Sequence, residues 1–298
     1  MSIERAWSTT TWALLALTPV AALAGTPINQ RGVADPAGQV EISNTAGTVT
    51  VTGWNRNEVE VTGELGKGSE RLEFGTSGKV TRIKVILPNK SYGVDGSDVI
   101  VKMPAGSSLS VNTVSADIRV SGVQGEQRLQ SVSADIGTEA STEDLECKTV
   151  SGDVTVAGTG KRGLLTITTV SGDATVTNAA GEVNGNTVSG NFRLGLGETA
   201  RSRLRSTSGD LTVASRPVAD ARFDIESISG DVRLDLAGPP NAEFDVSSLN
   251  GEIRNCMGPK PVRISEYGPG RELRFREGQG SARIRIKTLN GDISVCSK

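Results

Sequence analysis

The sequence predicts an all-β fold, a parallel β-solenoid (β-helix) with about 18–21 residues in each turn. Three observations predict it: an eight-residue phrase occurs nine times, its spacing is nearly constant, and apolar residues around it recur at every second position. The small residue of each phrase defines position 0, which is held by Ala116, Ala134, Gly152, Gly172, Gly190, Gly209, Gly230, Gly251 and Gly291. The first seven steps measure 18, 18, 20, 18, 19, 21 and 21 residues, and the last measures 40. Each phrase is expected to mark one turn, and the crossover preference predicts a right-handed stack.

Residues 1–24 have the pattern of a secretory signal peptide. Arg5 supplies a positive charge, residues 12–20 are apolar, and Ala22, Leu23 and Ala24 form an A-x-A cleavage site. We therefore expect cleavage after Ala24 and a periplasmic or secreted protein. No segment of the mature chain is long and apolar enough to predict a transmembrane helix.

The mature chain, residues 25–298, is predicted to form a single solenoid domain. Within it, residues 25–108 are expected to hold irregular turns and a cap, with either irregular or antiparallel strands between Val59 and Met103. Residues 109–257 hold the regular turns, and residues 258–298 hold a degenerate turn and a C-terminal turn. The degenerate turn is suggested by Val262, Ile264, Tyr267, Leu273 and Phe275, which would divide the 40-residue step into two.

Parity around position 0 predicts which side chains face the core. In the turn that contains Gly152, positions −7, −5, −2, +2 and +4 are held by Leu145, Cys147, Val150, Val154 and Val156, respectively. The spacing of two within each set is that of a strand. The three-residue step from −5 to −2 breaks it, so we place a bend there. This interpretation makes the apolar residue at −2 part of the core and the Ser or Thr at −3 part of an outward polar strip.

Position +1 is predicted to form an outward acidic ladder. Its members are Asp117, Asp135, Asp153, Asp173, Asp210, Asp231, Glu252 and Asp292, with Asn191 in between. One hypothesis is a cation site or a binding strip; the favoured one is that these side chains satisfy turn amides. The Ser, Thr and Asn residues at −3 and −1 likewise allow two hypotheses. One is a flat hydroxyl array that binds ordered water, ice or a glycan; the other, which is favoured, is that these side chains form local hydrogen bonds.

The three cysteines predict one disulfide candidate and one buried thiol. Cys147 lies at a core position, whereas Cys256 and Cys296 both lie at +5 and would pair in an oxidising compartment. If residues 258–287 add a full turn, however, the two would be about 9–10 Å apart, beyond disulfide reach. The pairing then requires that segment to loop out or the C-terminal residues to fold back.

The order of these motifs resembles a known family. A signal peptide, VEISNTAGTVTVTGW, VKMPAGSSLSVNTVSADIRV and the serial VSGD turns are similar to the bacterial "putative adhesin" β-strand-repeat family, over most of residues 40–296. This resemblance implies a noncatalytic β-solenoid of the cell envelope, of unknown function, with no catalytic motif to carry over.

Composition points away from catalysis and nucleic acid. The chain has no histidine, which excludes the usual triads and most zinc sites, and its formal charge of −2 comes with no basic stripe. We expect no enzyme activity, no cofactor and no resident metal, and an unknown envelope partner, either protein or glycan. The alternatives are a polysaccharide-binding or polysaccharide-active protein and a ligand sensor in envelope stress. A specific site is expected where the phrase fails: at Asn191 and Phe192, between Gly47 and Ala116, or before Gly291.

Overall fold

The computed structural model describes residues 25–88, 93 and 95–297. In these residues all 22 regular elements are strands, so the all-β prediction is confirmed. The predicted signal peptide, residues 1–24, lies outside the described residues.

The strands fall into three groups along the chain. The N-terminal strands are β1 (Thr26–Val33), β2 (Gln39–Trp54), β3 (Glu58–Leu65), β4 (Arg71–Ser77), β5 (Val80–Ile86) and β6 (Ser97–Pro104). The middle strands are β7 (Ser108–Ser121), β8 (Gln127–Gln130), β9 (Ile136–Ala140), β10 (Leu145–Lys148), β11 (Val154–Gly158), β12 (Arg162–Thr168), β13 (Ala174–Thr187), β14 (Phe192–Ser206), β15 (Leu211–Ser227) and β16 (Val232–Leu236). The C-terminal strands are β17 (Ala242–Asn250), β18 (Ile253–Asn255), β19 (Val262–Arg263), β20 (Arg271–Glu277), β21 (Ala282–Asn290) and β22 (Ile293–Ser297).

Successive repeats stack into two parallel ladders that meet at the phrase. The first ladder holds the residues before position 0, in the spatial order β5, β2, β7, β8, β10, β12, β13, β14, β15, β21 and β17. The second ladder holds the residues after position 0, in the order β6, β2, β7, β9, β11, β13, β14, β15, β16, β22 and β18. The long strands belong to both ladders. The constant repeat length thus produces in-register stacking of equivalent residues.

The core lies between the two ladders and follows the predicted two-residue period. Leu165 and Ile167 of the first ladder and Val154 and Val156 of the second are at most 3% exposed. The same offsets are buried in neighbouring turns, so rows of Val, Ile and Leu run through the stack. Burial of such side chains from water contributes about 1.5–3 kcal/mol each and is the main stabilising term.

The bend lies two positions later than the sequence suggests, so two predicted orientations are wrong. Thr149 and Thr169, at position −3, are 5% and 2% exposed, whereas Val150 and Val170, at −2, are 46% and 42% exposed. The inward alternation of the first strand therefore continues to −3, and the three-residue step runs from −3 to 0. The hydroxyl is tolerated inside because it accepts a hydrogen bond from the backbone N–H of position 0, at 3.0 Å for Gly152 and 2.9 Å for Gly172.

Close approach of the stacked backbones explains the glycine at position 0. A Cβ added to Gly172 would stand 1.8 Å from the carbonyl oxygen of Gly152, and one added to Gly190 would stand 1.9 Å from that of Gly172. Alanine occurs at this position only in the phrases of Ala116 and Ala134. The repeated glycine is thus required by the spacing of the turns at the bend.

The C-terminal turn is out of sequence order in the stack. Strand β21 pairs with β15 on one side and β17 on the other, and β22 likewise lies between β16 and β18. Residues 282–297 therefore fold back and insert between two turns that precede them in the chain. The predicted degenerate turn is wrong: β19 and β20 pair antiparallel with each other, β20 pairs antiparallel with β17, and Tyr267 is 93% exposed.

At the N-terminal end of the stack, antiparallel strands pair with the outermost strand of each ladder. At the C-terminal end, an antiparallel strand pairs with the outermost strand of the first ladder. Strand β4 pairs antiparallel with β5, and β3 pairs antiparallel with β6 and with β1, which confirms the antiparallel alternative between Val59 and Met103. At the opposite end β20 covers β17, where the rings of Phe244 and Phe275 stack 4.4 Å apart. These strands occupy the hydrogen-bonding edges that a bare stack would present to another chain.

Insertion of the C-terminal turn brings the two cysteines together. Cys256 and Cys296 form a disulfide with their Cα atoms 4.8 Å apart, across a sequence separation of 40 residues. Of the two arrangements that the sequence allows for this pairing, the second, fold-back of the C-terminal residues, places the two cysteines on adjacent levels. Cys147 is a buried free thiol, and burial raises its pKa to about 12.

Substitution of Gly172 by Ala should destabilise the protein by about 1–3 kcal/mol, because the new Cβ meets a backbone oxygen that cannot move away alone. Urea unfolding followed by circular dichroism measures the change. The matched control is Gly137→Ala in β9, where the added Cβ has its nearest contact at 3.9 Å. Equal stability of the two variants would contradict the crowding argument.

Replacing Cys256 and Cys296 together by Ser should lower the free energy of unfolding by about 4 kcal/mol, the loop-entropy value for a 40-residue closure. Mass spectrometry of unreduced peptides should find the two residues linked. Cys147 should react with a thiol reagent only after unfolding, because its thiol is buried and poorly ionised. Two reactive thiols in the unreduced native protein would rule out the pairing.

Candidate functional site

The acidic ladder at +1 is hydrogen-bonded to the backbone along the whole stack. The backbone N–H of Asp153 donates to the carboxylate of Asp135 at 2.8 Å, and that of Asp173 donates to Asp153 at 2.9 Å. The same bond joins the other members in spatial order, including Asn191: Asp117 to Asp135, Asp173 to Asn191, Asn191 to Asp210, Asp210 to Asp231, Asp231 to Asp292, and Asp292 to Glu252. Each side chain from Asp117 through Asp292 therefore accepts a bond from the next level, which matches the turn-amide hypothesis.

Asp173 shows how this environment affects a ladder carboxylate. The backbone N–H of Asn191, followed by the guanidinium of Arg193, holds the pKa of Asp173 below its usual value, against the opposing effect of partial burial. A depression of about 500 Å³ lies against the ladder between Asp117 and Asp153. Within residues 25–88, 93 and 95–297 there is no group of three or more His, Cys, Asp or Glu side chains arranged to hold a metal ion.

The small polar residues at −1 also have local partners. The hydroxyls of Ser151, Ser171 and Ser189 donate to the carbonyl oxygens of the −2 residues one level below, at 3.2–3.4 Å. In the outermost turns the side-chain amide of Asn250 donates to Asn290 at 2.8 Å. These side chains face solvent and link successive levels, so their repetition follows from the stack.

Beside them runs a continuous row of exposed apolar side chains, which we call the corner ridge. It consists of the position −2 residues Val114, Val132, Val150, Val170, Val188, Ile228, Leu289 and Leu249, each 42–48% exposed. Thr207 is the one polar member of the nine levels. At the spacing of a parallel sheet the ridge is about 38 Å long. Contiguous apolar surface of this kind is typical of interaction sites. The sequence pattern does not reveal it, because that pattern predicts that position −2 faces the core.

Asn191 and Phe192, where the phrase departs from its pattern, belong to the structure of the stack. Asn191 continues the +1 ladder, donating from its side-chain amide to Asp173 at 3.1 Å. The ring of Phe192 is fully buried and fills the space beside Gly185, where an added Cβ would stand 2.5 Å from it. The larger residue thus compensates for a glycine at core position −5 of the same turn.

The N-terminal irregular region carries a small charged cluster around an indole ring. Arg56 and Lys102 lie 5.0 and 5.7 Å from the ring centroid of Trp54, whose indole N–H donates to the carbonyl of Glu58. Hydrogen bonds from Arg31 and Lys102 lower the pKa of Glu60. These contacts order the cap, since both cations already have carboxylate partners.

A second surface that was not predicted from the sequence is lined by arginines on the first ladder. Arg201, Arg222 and Arg283 all occupy position −8 of their phrases and are in register on β14, β15 and β21. They line a depression of about 400 Å³ with Arg203 and Arg285. Arginine at the same offset in three phrases is a signal present in the sequence, although only strand pairing shows that these phrases are consecutive levels.

None of the described residues form a helix long and apolar enough to cross a bilayer. No curated protein matches the sequence. Among solved structures, a "putative lipid binding protein" from Parabacteroides distasonis ATCC 8503 is similar, with a TM-score of 0.53, 12% identity, and coverage of 91% of this chain and 97% of that one. At this identity the likeness is one of fold alone.

A second solved structure, a "putative adhesin" from Bacteroides fragilis NCTC 9343, has a TM-score of 0.46 and 8% identity, over 90% of this chain and 96% of that one. The family model described as Toastrack DUF4097 matches residues 35–296, which is nearly all of the described chain. The family-model match confirms the family resemblance expected from the sequence, and the protein belongs to the Toastrack DUF4097 family.

Proposed function

We propose that this protein is a noncatalytic, exported component of the bacterial cell envelope that binds a partner through its surface, in the manner of an adhesin. The stack serves as a rigid, right-handed β-solenoid that presents rows of identical side chains. The observation that carries this proposal is the corner ridge, which exposes apolar side chains on eight of nine levels.

The ridge is informative because its exposure costs stability in water and no core residue covers it. Each valine leaves almost half of its surface in contact with solvent, while serine hydroxyls beside it already satisfy the neighbouring carbonyl oxygens. A partner surface that buries the row would recover the hydrophobic free energy of all eight side chains. A straight row of this length suits an extended partner that lies along the stack.

A binding role is also supported by how the polar groups are used. The carboxylates of the +1 ladder are engaged by backbone N–H groups, and the chain lacks histidine, so triads that depend on a histidine base have no residue to form them. The cleavage pattern at residues 22–24 supports export to the periplasm or the cell surface.

Export predicts a specific mature N-terminus. When the full chain is produced in a bacterium, the periplasmic or secreted form should begin at Gly25, because Ala22 and Ala24 provide the small residues that signal peptidase requires. N-terminal sequencing measures this, and Ala24→Asp should leave the precursor uncleaved. Accumulation of a cytoplasmic form that begins at Met1 would contradict export.

The ridge should be needed for retention by envelope material. The triple variant Val132→Thr, Val150→Thr and Val170→Thr keeps the β-branched shape but makes the row polar, and we expect about a tenfold loss of binding in a co-sedimentation assay with envelope fractions, the loss that corresponds to about 1.4 kcal/mol. Its thermal midpoint should stay within a few degrees of the wild type, because these side chains are half exposed.

The matched control changes three outward threonines of the second ladder, Thr155, Thr175 and Thr212, to Ser. This control should bind like the wild type. Equal retention of the ridge variant and the wild type would refute the ridge as the binding surface.

A further inference from the structure

Three arginines stand side by side on adjacent strands of the first ladder. The register pairs Arg201 with Arg222 and Arg222 with Arg283. Paired residues on parallel strands are about 4.8 Å apart, and like charges at that distance repel. Placing three positive charges in a row therefore does not stabilise the fold.

Acidic neighbours neutralise only the ends of this row. Arg201 donates to Glu182 at 3.0 Å, and Arg283 lies 3.9 Å from Glu243. Among the residues that the structure describes, Arg222 in the centre has neither an ion pair nor a side-chain hydrogen bond, and the same holds for Arg203 in the next row. Elsewhere on this ladder arginines meet carboxylates across strands, as Arg128 meets Glu146 and Arg205 meets Glu226.

The arginines line a groove that runs along the stack. The depression of about 400 Å³ around Arg222 adjoins a second one of about 590 Å³, and Arg283 and Arg285 belong to both. The second depression adds Arg274, Arg276 and the partly buried ring of Phe275. Glu243 and Asp245 also line it and pair with Arg283 and Arg274, respectively. Together they extend across the levels of β14, β15, β21, β17 and β20, perpendicular to the strands.

The chemistry of the groove defines its ligand. Guanidinium groups bind carboxylates through two parallel hydrogen bonds, and a row of them with constant spacing suits a polymer that carries an acidic group on each unit. Asp224 lines the groove and has one carboxylate oxygen without a hydrogen-bond donor, and sugars supply hydroxyl donors as well as acidic groups. We propose that this groove binds a linear, carboxylate-bearing polysaccharide along the stack axis.

This surface lies on the first ladder and is distinct from the corner ridge, so the proposal goes beyond a general binding role. The probe is fluorescein-labelled polygalacturonate, and binding to the mature protein is measured by fluorescence anisotropy. Arg222→Gln should weaken binding about tenfold, as expected for the loss of a charge-assisted bidentate contact, and about 0.5 M salt should weaken wild-type binding several-fold. The thermal midpoint of Arg222→Gln should equal or exceed that of the wild type, because the substitution removes like-charge repulsion.

The matched control is Arg254→Gln, an exposed arginine of the second ladder without an ion pair among the described residues. It should bind polygalacturonate like the wild type, and neutral dextran should not bind either protein. Wild-type affinity in Arg222→Gln, equal binding of dextran, or no binding of polygalacturonate by the folded protein would overturn the proposal. Equal or tighter binding of inorganic polyphosphate or of duplex DNA would overturn the glycan assignment. Retention of the wild type by envelope material, lost in the ridge variant, would leave the proposed function standing in each of these cases.

Discussion

In six of the nine phrases the bend contains the same hydrogen-bonding arrangement, and the rest of the stack depends on the bend. The −3 hydroxyls of Thr113 and Thr288 have no hydrogen-bond partner among the described residues. A buried hydroxyl at −3 accepts the N–H of position 0, and the side chain at +1 accepts the N–H of the +1 residue on the next level. These bonds satisfy backbone N–H groups that a sharp bend would otherwise leave without partners. A buried N–H group without a partner would destabilise the fold by about 1–3 kcal/mol. The glycine at position 0 lets the backbones of successive levels approach closely, and the +1 bond joins those levels.

This arrangement separates residues that build the stack from residues that are free to bind. The acids, which first suggest a cation site, act as acceptors between levels, and the serines at −1 have a similar role. The apolar residue at −2 and the arginines at −8 have no such structural task. Repetition therefore produces two kinds of surface rows: rows whose side chains form hydrogen bonds between levels, and rows whose side chains do not. Only the second kind are candidates for binding a partner.

Insertion of the C-terminal turn determines how the stack ends. Because β21 and β22 lie between the two turns that precede them in the chain, the outermost strands are β17 and β18, and β20 covers β17. The disulfide between Cys256 and Cys296 links the last two levels. The same insertion brings Arg283 next to Arg222, which is 61 residues earlier in the chain. Both the disulfide and the arginine groove are consequences of this one departure from sequence order.

The sequence by itself determined the all-β class, the repeat length, and the inward positions −7, −5, 0, +2 and +4, because two-residue periodicity records burial directly. It could not locate the bend, since a three-residue step can follow either −5 or −3, and only the hydrogen bond of the −3 hydroxyl decides between them. Nor could it place Gly291 between Gly230 and Gly251, or Arg283 beside Arg222. Those arrangements depend on which levels are neighbours in space, and the free energy that selects them comes from contacts between residues distant in the chain.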